Sequence, residues 1–142
     1  MILINEGRGL CNYVYIDNLI DATLAATKRD QSVGQVYLIS DGIAVTWKEF
    51  FGYYAQMAGK LRIRSVPEWL GKAIGLGMEI TSKLTGKPPK LTREAVRYLT
   101  REARFSIEKA KRELGYQPRF TLEEGMKLTE KWLIEAGYLP KV

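Results

Sequence analysis

Residues 12–28 read NYVYIDNLIDATLAATK, and a change of rhythm inside them decides the kind of fold to expect. Up to Ile16 the β-formers alternate, so that Tyr13 and Tyr15 share one side of an extended chain and Val14 and Ile16 the other. From there the apolar residues recur at helical spacing, with Asp17 placed to accept the free N–H groups of the first turn. A strand running into a helix is a unit of α/β folds. Downstream, GQVYLIS at residues 34–40 is a short, nearly continuous apolar run bounded by Gly34 and Asp41-Gly42. That pattern predicts a strand covered on both faces.

Helices dominate the rest of the chain. In TWKEFFGYYAQMAGK, residues 46–60, Thr46 and Glu49 stand at capping-box spacing, Trp47, Phe50, Tyr54 and Met57 share a face, and Gly59 stops the helix. LRIRSVP, residues 61–67, alternates like a short strand, and Pro67 suits the first turn of a helix through EWLGKAIGLGMEITSKLTG, ended by Pro88-Pro89. Thr92 to Tyr98 reads as helix, ARFS at 103–106 as extended, and Ser106 as the cap of a short helix through Leu114, closed by Gly115. Thr121 and Glu124 open a last helix, with Leu122, Met126, Trp132 or Leu133, and Ala136 towards a core. With no repeats, low-complexity segments or dividing linker, residues 1–142 read as one region. The early part has too few strands for a complete doubly wound sheet, so a neighbour of QVYLIS is missing from the chain.

Composition narrows the chemistry. The 142 residues are 46% hydrophobic and 27% charged, the balance of a folded globular chain. There is no histidine, which excludes Ser-His-Asp and Cys-His catalysis and zinc sites built on Cys and His, so no metal is expected. The single Cys11 forms no internal disulfide and suits a reducing cytoplasm. Neither a signal peptide nor a membrane-spanning run is present. The net charge of +6 comes from Lys and Arg that alternate with Glu along the helical tail, which argues against nucleic-acid binding.

No catalytic or cofactor motif stands out. A dinucleotide site needs a glycine turn directly after a strand, where pyrophosphate meets bare N–H groups at a helix start. GKAIGLG lies inside a helix instead, so Gly71, Gly75 and Gly77 read as small residues for close packing. TGKPP at 85–89 lacks the upstream glycine and the Ser or Thr of a phosphate loop and reads as a helix-ending loop. Asp17 and Asp21 read as a cap and a solvated carboxylate, and Cys11 as a buried small residue.

Three stretches in order, NYVYIDNLIDATLAA, GQVYLISDGIAVTWKEFF and RFSIEKAKRELGYQPRFTLEEGMKLTEKWL, together resemble the C-terminal part of the extended short-chain dehydrogenase/reductases, the NAD-dependent epimerase/dehydratase superfamily. Tyr15 with Asn18, YLISDG before a Trp-x-x-Phe helix, and FSIEKAKRELGY look most like the 3β-hydroxysteroid and sterol-4-carboxylate dehydrogenase branch. In many sugar-nucleotide epimerases an arginine gripping the diphosphate precedes the first of these strands; the aligned residue here is Cys11, which speaks against a nucleotide-sugar substrate.

The resemblance implies an α/β fold consisting of a C-terminal substrate-binding lobe plus the last strand and helix of an NAD(P)-binding Rossmann fold, helix-rich and with the N-terminal Rossmann half absent. QVYLIS would belong to the Rossmann sheet, and NYVYI and ARFS to the small lobe. It implies NAD or NADP in the full-length enzyme and none bound by this chain alone. The family's Tyr-x-x-x-Lys pair is missing, since no tyrosine has a lysine four residues on. The expected role is therefore the substrate-binding fragment of an oxidoreductase or epimerase acting on a hydroxyl or keto group of a sterol-like or sugar-type small molecule. A non-enzymatic partner-binding module is the alternative.

By the same resemblance, substrate contacts fall to Cys11, Asn12, Tyr13 and Tyr15 and to the cover helix bearing Trp69, Ile74 and Met78. With Lys72, Lys83 and Lys87 interspersed, that helix suits either an apolar substrate or a peripheral membrane contact. The apolar QVYLIS edge predicts a homo-oligomer with Val36, Leu38 and Ile39 at the contact.

Overall fold

A computed structural model describes residues 1–59 and 62–140. Lys60 and Leu61, at the junction of the second helical stretch and LRIRSVP, lie outside the described residues. The chain forms two compact units, each assembled from two separated stretches: Met1–Cys11 with Val45–Ala103, and Asn12–Ala44 with Arg104–Val142.

The first unit holds every ladder strand among the described residues. β1 (Ile2–Ile4) pairs in parallel with β4 (Arg64–Val66), and β2 (Leu10–Cys11) pairs antiparallel with β3 (Val45–Thr46). Between β1 and β2 the chain reverses through Asn5, Glu6 and Gly7, all at positive φ. The turn is held by the Glu6 N–H donating to Ser65 Oγ at 2.7 Å. A side chain at Gly7 would strike the Lys48 backbone nitrogen, 2.8 Å from an ideal Cβ, so glycine is required there. α2 (Trp47–Met57) starts with the expected capping box of Thr46 and Glu49, and its Trp47, Phe50, Tyr54 and Met57 are half-buried. Trp47 stacks on Phe51 at 5.5 Å and leans on Tyr98 at 5.9 Å.

α3 (Glu68–Thr85) packs on α4 (Arg93–Thr100) through glycine. Gly71 faces Ile4 and the fully buried Val96, and Gly75 lies so close to Thr92 and Arg93 that an added Cβ would sit 2.9 Å from their backbone. Gly77, read with them as a packing residue, has open space around it. Pro67 is the N-cap of α3 and not its first helical residue, and Gly86 closes the helix at φ 70° before Pro88-Pro89. Thr92 caps α4 by accepting the Ala95 N–H, and α4 runs two residues further than Tyr98.

The second unit has no ladder among the described residues. α1 (Ile16–Thr27) and α5 (Glu108–Leu114) pack around Ala22, Ile107, Ala110, Leu114 and Tyr116, with Ala25, Ala26, Tyr37 and Ile39 against them, while α6 (Leu122–Glu135) lies with Gly125 against Tyr15. The Thr121–Glu124 capping box is present. Met126 is buried and Leu133 half-buried, whereas Trp132 and Ala136 are exposed.

Three expected strands form no ladder. In NYVYI, residues 12–15 lie outside any ladder and the helix begins at Ile16 with Tyr15 as N-cap, so Asp17 sits inside the first turn and caps nothing. Residues 35–39 of QVYLIS have no ladder neighbour, and burial alternates along them: Tyr37 and Ile39 turn to the core while Val36 is 80% and Leu38 55% exposed. One face is covered, not two, because the helices pack on one side only. ARFS has no ladder either, and the N-cap of α5 is Ile107, not Ser106, whose Oγ accepts the Glu108 N–H at 3.3 Å from one residue before the cap. Asn12–Ile16 and Arg104–Ser106 fall in the same unit as Gln35–Ser40, since side-chain bonds tie them together.

Candidate functional site

Asn18 is the best-connected polar side chain of the second unit and is fully buried. Its Nδ2 donates to Asp41 Oδ1 at 2.8 Å and to the Phe120 carbonyl at 2.9 Å. Its Oδ1 accepts the N–H groups of Arg119 at 2.8 Å and Phe120 at 3.1 Å. Asp41 also accepts the Tyr15 N–H, at 3.1 and 3.2 Å to its two oxygens, and thereby caps α1 from 26 residues away. Burial pushes the Asp41 carboxyl above the usual carboxylate range, against the pull of the Asn18 and Tyr15 donors. Asn12 Oδ1 accepts the Phe105 N–H at 3.0 Å, and the Tyr13 carbonyl accepts the Asp41 N–H at 3.1 Å. These bonds fix the backbone that carries Asn12, Tyr13 and Tyr15.

Tyr15 itself is engaged in packing. Its ring lies 5.0 Å from that of Phe120 and fills the space beside Gly125, where a Cβ would meet Tyr15 Cδ2 at 2.8 Å. Asp21, read as solvated, pairs with Arg119 at 2.5 Å. Cys11 is buried in β2, and burial pushes its thiol up to about 11, so it is a neutral group at neutral pH.

In the first unit, Ile74 and Met78 line an open groove of about 430 Å³ with Gly77, Thr81, Thr85 and Pro88-Pro89. Trp69 is outside it, 69% exposed. Among the described residues no glycine turn joins a strand to a helix, and the backbone at Gly71 and Gly75 packs against Ile4, Val96, Thr92 and Arg93. No group of metal-ligating side chains occurs among the described residues.

Sequence reading undervalues Asn18 and Asp41. Along the chain Asn18 is only a member of VYIDN, and Asp41 only the boundary of an apolar run. The available signal is an asparagine on the inward face of a helix, where a buried amide must find partners.

No family model matches the chain. Uncharacterized protein YbjS of Escherichia coli K12 is 32% identical over 99% of this chain and 43% of its own length. The 3beta-hydroxysteroid-dehydrogenase/decarboxylase isoform 1 of Arabidopsis thaliana is 29% identical over 89% of the chain and 32% of itself. Short-chain dehydrogenase/reductase family 42E member 1 of Bos taurus is 33% identical over 85% and 34%. The homologues of this chain are extended short-chain dehydrogenase/reductases.

Solved structures agree on the fold. The crystal structure of gox2253 matches with a TM-score of 0.67 at 23% identity, over 97% of this chain and 40% of that one. The UDP-glucuronic acid 4-epimerase of Bacillus cereus, solved with UDP-glucuronic acid and NAD, matches with 0.60 at 16% identity, over 95% and 35%. The chain thus spans about a third to two fifths of the length of its relatives, as a C-terminal portion of such an enzyme would, and its fold is the helix-rich part of their α/β architecture.

Proposed function

We propose that this chain is the substrate-side portion of an NAD(P)-dependent oxidoreductase or epimerase, acting on a hydroxyl or keto group and inactive without a dinucleotide-binding portion. The observation that carries this reading is the state of residues 35–39: a segment whose alternate residues Tyr37 and Ile39 pack on a core, with no ladder partner among the described residues, in a chain that spans a minor part of its relatives. Such a segment, with exposed Val36 and Leu38, is built to receive a neighbour. An apolar, sterol-like substrate suits the chain better than a nucleotide sugar. Cys11 is buried and neutral where the epimerases place a phosphate-gripping arginine, and the groove along α3 is walled by Ile74, Met78 and proline. Substrate contact is assigned to Asn12, Tyr13 and Tyr15 on one backbone segment of the second unit, in a cytoplasmic enzyme.

Calorimetry with NAD and NADP tests the reading on two proteins: this chain, and YbjS with its matching segment replaced by this chain. The chimera is expected to bind and the chain alone to show no heat. Tight binding by the chain alone would overturn the proposal. The chain by itself is further proposed to pair with a second copy through Val36 and Leu38. Light scattering across a dilution series should show a dimer that Leu38→Lys dissociates, and a monomer indifferent to that change would show that the edge needs no partner.

A further inference from the structure

α5 holds residues 31–37 through two charged side chains one turn apart, Lys109 and Glu113. The half-buried Lys109 ammonium donates to Gln35 Oε1 at 2.9 Å and to the Val36 carbonyl at 3.1 Å, and lies 4.8 Å from the centre of the Tyr37 ring. Glu113 accepts the Tyr37 hydroxyl at 3.1 Å and, at its backbone carbonyl, Gln31 Nε2 at 2.6 Å. Beyond them the Ser40 carbonyl accepts the hydroxyl of the buried Tyr116 at 3.0 Å, and the Asp41 N–H donates to the Tyr13 carbonyl. Between these points the backbone N–H and C=O groups of Tyr37, Leu38 and Ile39 make no hydrogen bond among the described residues.

The open run is therefore bracketed, by a charge at Val36 and by a neutral hydroxyl at Ser40. Backbone groups left open beside an exposed apolar pair such as Val36 and Leu38 will pair with any strand that reaches them, and a lysine at the edge is a common means of limiting this. A neutral donor would tie Val36 to α5 equally well. The ammonium adds selectivity, because a strand that continued past Tyr37 to take the Val36 carbonyl would have to displace a charge-assisted bond.

We infer that Lys109 guards this edge: it confines pairing to Tyr37–Ile39, admits a short neighbouring strand in that register, and opposes association through a longer one. The inference rests on the reading of residues 35–39 as a segment that receives a neighbour. The partner it fits is a strand that leaves the Val36 carbonyl to Lys109.

Sedimentation equilibrium of the full chain across a dilution series tests the guard in the wild type, Lys109→Met, Lys109→Gln and Lys109→Arg, compared at matching circular dichroism. Lys109→Met and Lys109→Gln should associate at least about tenfold more tightly than the wild type, since the charge that competes with pairing is gone, and Lys109→Arg should behave as the wild type. Amide exchange should show protection newly reaching the Val36 N–H. Where Lys109→Met lowers the folded fraction, Lys109→Gln carries the comparison. Adding Leu38→Lys to either neutral variant should return it to a monomer, and association that survives Leu38→Lys is misfolding and overturns the guard. A wild-type dimer whose dissociation constant is unchanged or weakened by loss of the charge would overturn the guard and leave the receiving segment standing. Monomers throughout would overturn both.

Discussion

In the unit that holds α2, α3 and α4, extended backbone meets backbone: Ile2–Ile4 pairs with Arg64–Val66, and Leu10–Cys11 with Val45–Thr46. In the unit that holds α1, α5 and α6, backbone groups are tied by side chains instead. Asp41 takes the Tyr15 N–H, Asn18 takes those of Arg119 and Phe120, Asn12 that of Phe105, and Arg29 and Gln31 donate to the carbonyls of Leu114 and Glu113. A buried polar backbone group must be satisfied in either case. The difference lies in what its loss would cost. A ladder is made of many replaceable bonds, whereas a side-chain hub concentrates several in one residue.

Asn18→Ala should therefore be the most damaging single change in the second unit. It strands the N–H groups of Arg119 and Phe120, the Phe120 carbonyl and one donor to Asp41, for a loss of about 3–5 kcal/mol in urea unfolding. A loss below about 1 kcal/mol would mean that water replaces the hub, and the contrast between the units would collapse.

Alkaline unfolding examines one buried group in each unit. Burial pushes Tyr116, whose hydroxyl donates to the Ser40 carbonyl, up to about 12, and Cys11 up to about 11. Both folded-state values lie above those of the unfolded chain, so the stability they protect is intact at low pH and lost as pH rises. The window runs from about 9 to 11 for Cys11 and about 10 to 12 for Tyr116, and each is worth roughly 2–3 kcal/mol. Cys11→Ala should delay the onset of the fall in a pH titration of unfolding free energy. An onset unchanged by that substitution would remove Cys11 as its cause.

Glycine packing in α3 gives a smaller, signed effect. Gly75→Ala drives a methyl into the Thr92–Arg93 backbone and should cost about 1–3 kcal/mol, while Gly77→Ala meets nothing and should gain up to about 1 kcal/mol from helix propensity. Thermal denaturation showing the same sign for both would deny that α4 is held by close approach. Smallest of all, Thr46→Ala and Thr121→Ala should each cost about 1 kcal/mol, because a capping box is local. Unequal costs would show that tertiary context reaches even the caps.

Features whose physics spans a few residues were legible along the chain. The capping boxes at Thr46 and Thr121, the glycine stops at Gly59 and Gly115, the aromatic face of α2 and the order of the helices all follow from spacing. So does the likeness to the dehydrogenases, carried by three ordered stretches. Whether extended segments become strands was settled by folding. Residues 12–15 and 35–39 have every local preference for a ladder, but pairing is a property of two segments, and among the described residues neither forms one. Folding likewise made Asp41 the cap of α1 in place of Asp17, gathered on Asn18 bonds from residues about a hundred positions away, and rendered Gly75 indispensable where Gly77 is not. Each of these depends on what a distant stretch brings within hydrogen-bond or van der Waals range, and residue spacing along the chain carries no record of that distance.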